Sequence, residues 1–154
     1  MRHYGERLRV PLVWWLIPAA ASVSVWLAVQ HVYGPRVSIP VTIAVLVLTA
    51  GGLLAYGRAV VAVEDDAFRA GRARLPLWAV GTVEPLDADR ARRARGPQAD
   101  PRAFMLVRGY VGPMVRVVVE DPADPVPYWL VSTRRPDRLA AALHTAADAA
   151  RSGR

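Results

Sequence analysis

The sequence predicts a membrane α-helical hairpin of two transmembrane helices followed by a small α+β domain, a bent antiparallel sheet capped by a C-terminal helix. Three observations carry this expectation. Between Val10 and Gly57 the one charged side chain is Arg36, in a Gly34-Pro35-Arg36 turn between two apolar runs. From Ala59 onward the long apolar runs give way to short alternating ones. The chain then closes on Leu139, Leu143, Ala146, Ala147 and Ala150, which repeat on one face of a helix.

Residues 1–9 read as a basic cytoplasmic tail and residues 10–57 as the hairpin, with helices over about 10–33 and 37–57 and the turn at 34–36. Each run suffices for a bilayer, since roughly 20 apolar residues cross about 30 Å of hydrocarbon. Arg2, Arg7 and Arg9 precede the first run, Arg58, Arg69, Arg72 and Arg74 follow the second, and Arg36 alone occupies the turn. The positive-inside bias then places both termini in the cytoplasm, in a multi-pass protein of the cell membrane. His31 and Tyr33 fit the outer interface, and Trp14 and Trp15 the inner one. Pro11 and Pro40 are expected in first helical turns, and Pro18 deeper, where it would kink the first helix. Arg7, Arg9, Val10–Ile17 and Ala19-Ala20-Ala21 also mimic a cleavable signal peptide, but the apolar run continues to Tyr33, beyond the usual length. Neither run holds an acid or base apart from His31 near an end, which argues against a transporter. Ala20, Ser24 and Ala28, and Gly51 with Ala55, recur at spacing that serves either packing within the hairpin or contact with a second copy.

The net charge of the 154-residue chain is +7, and all of its positive charge is arginine. The excess is weighted toward the membrane ends, with five arginines against Glu6 up to Arg58. Membrane apposition explains that distribution better than nucleic acid, whose binders concentrate cations on the folded domain. Absence of Cys removes disulfides, thiol catalysis and thiolate metal sites. His3, His31 and His144 lack metal-ligand spacing, Ser132 has no neighbouring His, and no nucleophile elbow, P-loop or dinucleotide fingerprint occurs. No cofactor, no metal and no catalytic residue is therefore nominated, and a non-enzymatic role is expected.

Within residues 58–154, Ala59–Val63 reads as a strand and Glu64-Asp65-Asp66 as the turn closing a hairpin. Strands are expected over Phe68–Leu75, Leu77–Val83, Ala103–Arg108, Val115–Glu120 and Tyr128–Ser132. Asp87–Arg95 reads as a short helix ended by Gly96-Pro97. Pro136 suits the first position of the last helix and Asp137 its first turn.

Val63–Gly71 followed by Leu75–Val80 resembles the opening hairpin of bacterial pleckstrin-homology-like domains on membrane proteins. The whole chain resembles an actinobacterial family of two-helix membrane proteins, domain-of-unknown-function family 3093. The matching stretches are Glu6–Pro11, Ala70–Leu77, Asp100–Phe104 and, longest, Asp121–Pro125 through Tyr128–Pro136. The resemblance implies a membrane location and supplies no activity.

Candidate partner- or lipid-binding residues fall in two groups. Tyr128, Trp129, Arg134 and Arg135 place two aromatics and two arginines at a strand-to-helix junction, where arginine forks suit phosphate and aromatic rings suit an interface. Alternation puts Tyr128 and Trp129 on opposite faces, so at most one need be core. Arg72 and Arg74 share a strand face close in sequence to the membrane, and Arg90, Arg92, Arg93 and Arg95 form a denser run; both suit anionic headgroups or solvent. The acidic Glu64-Asp65-Asp66 turn speaks against a phosphoinositide site in the first hairpin. Asp121 and Asp124 read as turn residues ahead of prolines rather than as an acid–base or cation pair. The expected role is a scaffold or protein-binding module tethered at the cytoplasmic face. Behind it stand an anionic-lipid sensor and, third, a small membrane-bound enzyme; a homo-oligomer is compatible with all three.

Overall fold

A computed structural model describes residues 2–97 and 99–152. The chain divides into two compact units, Arg9–Arg58 on one hand and Met1–Leu8 with Ala59–Arg154 on the other.

The first unit is a helical hairpin. A 3-10 turn at Leu12–Trp15 leads into α1 (Leu16–Tyr33), and α2 (Pro35–Tyr56) follows after Gly34 alone. Gly34 has φ +73°, a left-handed backbone that glycine adopts without a Cβ penalty, so one residue reverses the chain where three were expected. The Ser38 hydroxyl donates to Gln30 Oε1 at 2.5 Å, tying the two helices at this end. Leu12–Tyr33 and Pro35–Tyr56 are each 22 residues, with mean hydropathy 1.9 and 2.2, long and apolar enough to cross a membrane. Two proline positions differ from expectation. Because α1 begins at Leu16, Pro18 sits in its first turn, where the missing N–H costs nothing. Because α2 begins at Pro35, Pro40 lies inside the helix and leaves the Arg36 carbonyl without its i→i−4 donor.

The second unit starts with the residues expected as a tail. Arg2–Arg7 form β1, paired antiparallel with β2 (Val60–Glu64) from Arg7↔Val60 to Arg2↔Glu64. Leu8 is fully buried, its N–H donates to the Ala59 carbonyl at 3.1 Å, and the Tyr110 hydroxyl donates to its carbonyl at 2.6 Å. The apolar hairpin is thus an insertion between two neighbouring strands of one sheet.

After β2 the two-residue turn Asp65-Asp66 leads to β3 (Ala67–Ala70), and Gly71-Arg72 to β4 (Ala73–Pro76). The expected single strand Phe68–Leu75 is split here because Gly71, at φ +64°, turns the chain. The first sheet has order β1-β2-β3-β4. A 3-10 turn at Leu77–Ala79 then delivers β5 (Val80–Leu86), followed by α3 (Ala88–Ala94), β6 (Phe104–Leu106), β7 (Met114–Val119), β8 (Tyr128–Ser132) and α4 (Pro136–Ser152). The second sheet has order β5-β7-β8-β6, with β6 parallel to β8. Two four-stranded sheets, one of them mixed, replace the single bent antiparallel sheet that was expected.

Leu139, Leu143, Ala146 and Ala147 of α4 are buried in one core with Leu8, Val61, Val63, Phe68, Val115, Val117 and Trp129. Arg151 Nη2 donates to the Val80 carbonyl at 2.7 Å and pins the last turn of the helix. A smaller core of Leu86, Ala91, Met114, Tyr128 and Leu130 occupies the other face of the second sheet, under α3. Asp87 caps α3 by accepting from the Arg90 N–H at 2.8 Å.

Candidate functional site

The six residues nominated from sequence divide sharply. Tyr128 and Trp129 are 9% and 5% exposed, so neither offers an exposed contact face, and the expectation that one of them faces a partner is corrected. Both are buried because β8 lies inside the second sheet with a core on each face; alternation sends Trp129 into one core and Tyr128 into the other. Trp129 packs on Phe104 and Phe68 with ring centroids 4.4 and 5.8 Å away. The Tyr128 hydroxyl accepts from the Asp100 N–H at 3.0 Å, and the Arg116 guanidinium lies 4.3 Å from its ring centre. Arg102 bonds the Asp100 carboxylate and holds its carboxyl below the usual range, so the loop that covers Tyr128 is itself tied.

Arg72 and Arg74 do not share a strand face. Arg72 is an exposed residue of the β3–β4 turn. Arg74 is on β4, 3.2 Å from Asp66 and 3.7 Å from Glu64, surface pairs worth at most about 1 kcal/mol each. The acidic β2–β3 turn therefore consumes one of the two cations expected to bind. Asp121 and Asp124 each accept a main-chain N–H two residues on, from Ala123 and Val126, both at 2.9 Å, which fixes the loop as consecutive side-chain-closed turns.

Arg134 and Arg135 are exposed and come together with a residue the sequence did not single out, Arg138. Arg134, Arg135, Pro136, Asp137 and Arg138 line an open cleft of about 340 Å³ where α4 begins. Leu139 N–H donates to the Arg135 carbonyl at 3.0 Å, so Arg135 is the residue from which the helix starts. These cations sit at the positive end of a 17-residue helix. A cation there is disfavoured by roughly 0.3–1 kcal/mol, the reverse of a capping arrangement.

What offsets them is Glu6 of β1. Its carboxylate accepts from the Thr133 hydroxyl at 2.6 Å, the Tyr4 hydroxyl at 2.9 Å and the Arg134 main-chain N–H at 3.1 Å. Thr133 is fully buried, and its oxygen in turn accepts from the Arg135 N–H at 3.1 Å. Nothing local in the sequence marks this contact beyond Glu6 being the lone acid among the N-terminal arginines. Burial pushes the Tyr4 phenol above its ordinary value of 10.0, with Glu6 adding to the rise against an opposing bond from Thr133. A phenol raised in the folded state contributes stability that is complete below the unfolded value and lost as pH rises through the folded one. Tyr4→Phe is therefore expected to flatten the loss of thermal stability above about pH 10, measured by melts across the alkaline range.

The chain combines an apolar two-helix hairpin with an α+β unit of two sheets that carries an exposed arginine corner at the start of α4. It belongs to a family of proteins of unknown function, DUF3093, whose sequence profile matches residues 3–143. No curated protein and no solved structure matches it.

Proposed function

We propose that this protein is anchored in the cell membrane by its hairpin and uses a pleckstrin-homology-like domain as a non-enzymatic binding module at the cytoplasmic face. The arginine corner of Arg134, Arg135 and Arg138 receives an acidic segment of a protein partner. Two sheets with a C-terminal helix packed into their shared core support the pleckstrin-homology-like reading. The pairing of β1 with β2 supports the topology: a sheet built from residues on both flanks of the hairpin requires both flanks on one side of the membrane. The arginine distribution then favours the cytoplasm. Signal cleavage after the alanine run would remove β1 and Leu8 from the fold, which favours an anchor over a signal.

The observation that carries the binding reading is the set of arginines gathered at the positive end of α4, against the preference of the helix dipole and beside an open cleft. Among the described residues Arg135 and Arg138 make no ion pair, which leaves their donors available for carboxylates. A second reading, anionic headgroup binding, draws on the exposed Arg72, Arg92 and Arg93. Affinity purification from native membranes in mild detergent separates the two, comparing wild type with Arg135→Ala/Arg138→Ala. A defined protein partner lost in the variant is the expected result. Recovery of the protein alone, with anionic lipid depleted in the variant, would shift the assignment to lipid.

A further inference from the structure

We infer that the α+β unit carries a lipid-contact face at one end of its first sheet, where Arg7 and Arg72 meet the anionic phosphate headgroups of the leaflet around the hairpin. The inference rests on the membrane-anchored reading above and concerns residues outside the arginine corner. Strand register brings the two arginines to one end of the sheet. Arg7 closes β1 opposite Val60, the first residue of β2. On the other side of β2, Ala70 pairs with Val61, and the Gly71 N–H donates to the Val60 carbonyl at 2.8 Å. Arg7, Val60 and the Gly71-Arg72 turn therefore form a row across the sheet, two strand spacings or about 10 Å wide. Both arginines are exposed, and among the described residues neither makes an ion pair.

The same end of the sheet is where the chain leaves for the hairpin and returns from it. Leu8 follows Arg7 and Ala59 precedes Val60. The Leu8 N–H donates to the Ala59 carbonyl at 3.1 Å, and the Tyr110 hydroxyl donates to the Leu8 carbonyl at 2.6 Å. Arg7 and Arg72 are thus carried on a hydrogen-bonded frame rather than on a free tail. The acids of this sheet gather at the opposite end. Glu64, Asp65 and Asp66 surround the β2–β3 turn, where His3 bonds Asp65 at 2.8 Å and Arg74 faces Glu64 and Asp66. The five residues of β2 separate the two ends. That length is about 14 Å, beyond the Debye length of about 8 Å at physiological ionic strength. The acidic turn therefore does not repel an anion held at the arginine end. Charge in the first sheet is polarised along the strands, positive where the hairpin attaches, and an anionic leaflet matches that polarity. Attachment also gives the headgroups a high effective concentration at this end, which a soluble phosphate lacks.

The test uses the full-length protein in lipid nanodiscs of phosphatidylcholine alone or mixed equally with phosphatidylglycerol. Hydrogen exchange is read over residues 70–74 and over the 64–66 turn, and the β2 amides report that each variant is folded. Each arginine beside an anionic leaflet is expected to shift the balance of seated over unseated unit about fivefold. Phosphatidylglycerol is expected to slow exchange over 70–74 and to leave 64–66 unchanged. Arg7→Gln/Arg72→Gln is expected to lose that slowing in the same discs, and Arg7→Lys/Arg72→Lys to keep most of it because the charge remains. Raised salt is expected to abolish it in wild type. Exchange over 70–74 that is the same in both lipids, or unaltered in the glutamine variant, would overturn the lipid-contact face and leave the anchor standing. Equal slowing by inorganic phosphate in phosphatidylcholine discs would assign the arginines to a soluble anion and overturn it likewise. Free exchange of the 10–57 amides, outside the lipid, would overturn the anchored reading and this inference with it.

Discussion

A variant lacking residues 1–8 is expected to lose the folded α+β unit altogether, although the deletion removes only what reads as a charged tail. β1 supplies the edge of the first sheet, and Leu8 is fully buried in the main core. Truncating a buried leucine alone costs about 2–5 kcal/mol, against a total stability of roughly 5–15 kcal/mol for a small domain. Removing the strand, its ladder bonds and the Glu6 tie together exceeds that margin. Conversely, joining Leu8 to Ala59 through a short turn in place of residues 9–58 is expected to give a water-soluble protein with a cooperative thermal transition. The ends to be joined are already hydrogen-bonded at 3.1 Å. Circular dichroism melts of the two variants check the pair. A cooperative melt without residues 1–8 would show that β1 is dispensable.

The second large effect is expected at Trp129. Trp129→Ala should cost about 3–5 kcal/mol, because a buried ring packed on Phe104 and Phe68 leaves a cavity that β-sheet neighbours cannot close. For a unit of this size that lowers the melting temperature by on the order of 15–30 °C. Arg135→Ala, at the same strand-to-helix junction but exposed, should fall within about 0.5 kcal/mol of wild type. Denaturant unfolding of the soluble joined form measures both. A Trp129→Ala protein as stable as wild type, but defective in partner recovery, would return the indole to the binding surface.

The hairpin and α4 are legible in the sequence because each announces itself locally, one by forty-odd nearly uncharged positions and the other by helical spacing of Leu139, Leu143, Ala146 and Ala147. β1 is not, since Arg-His-Tyr-Gly-Glu-Arg carries no apolar alternation and its partner strand lies beyond the whole hairpin. It is a strand only because β2 offers an edge and Leu8 fills a core site. The split of Phe68–Leu75 turns on one glycine, which marks either a bulge or a turn until the register is known. Tyr128 and Trp129 alternate as expected, but that both faces of β8 are covered depends on α3 and α4 packing on opposite sides of the second sheet, which strand periodicity does not encode. Of the arginine corner the sequence reveals Arg134 and Arg135 and misses Arg138 and Glu6. Arg138 lies in the first turn of α4, four residues after Arg134, whereas Glu6 reaches the segment that enters α4 only through the folding of the N-terminal strand.

The measurement that bears most directly on the account is the sidedness of the hairpin's flanks. The chain has no Cys, so Arg7→Cys, Arg36→Cys and Ala141→Cys each introduce a single reporter, before the first helix, at the start of the second helix and on exposed α4. Labelling intact cells with a membrane-impermeant maleimide is expected to modify position 36 and to spare positions 7 and 141 until the cells are permeabilised. Positions 7 and 141 labelled from opposite sides would contradict the pairing of β1 with β2 around the inserted hairpin, and with it the account of a single domain built from both flanks of the hairpin.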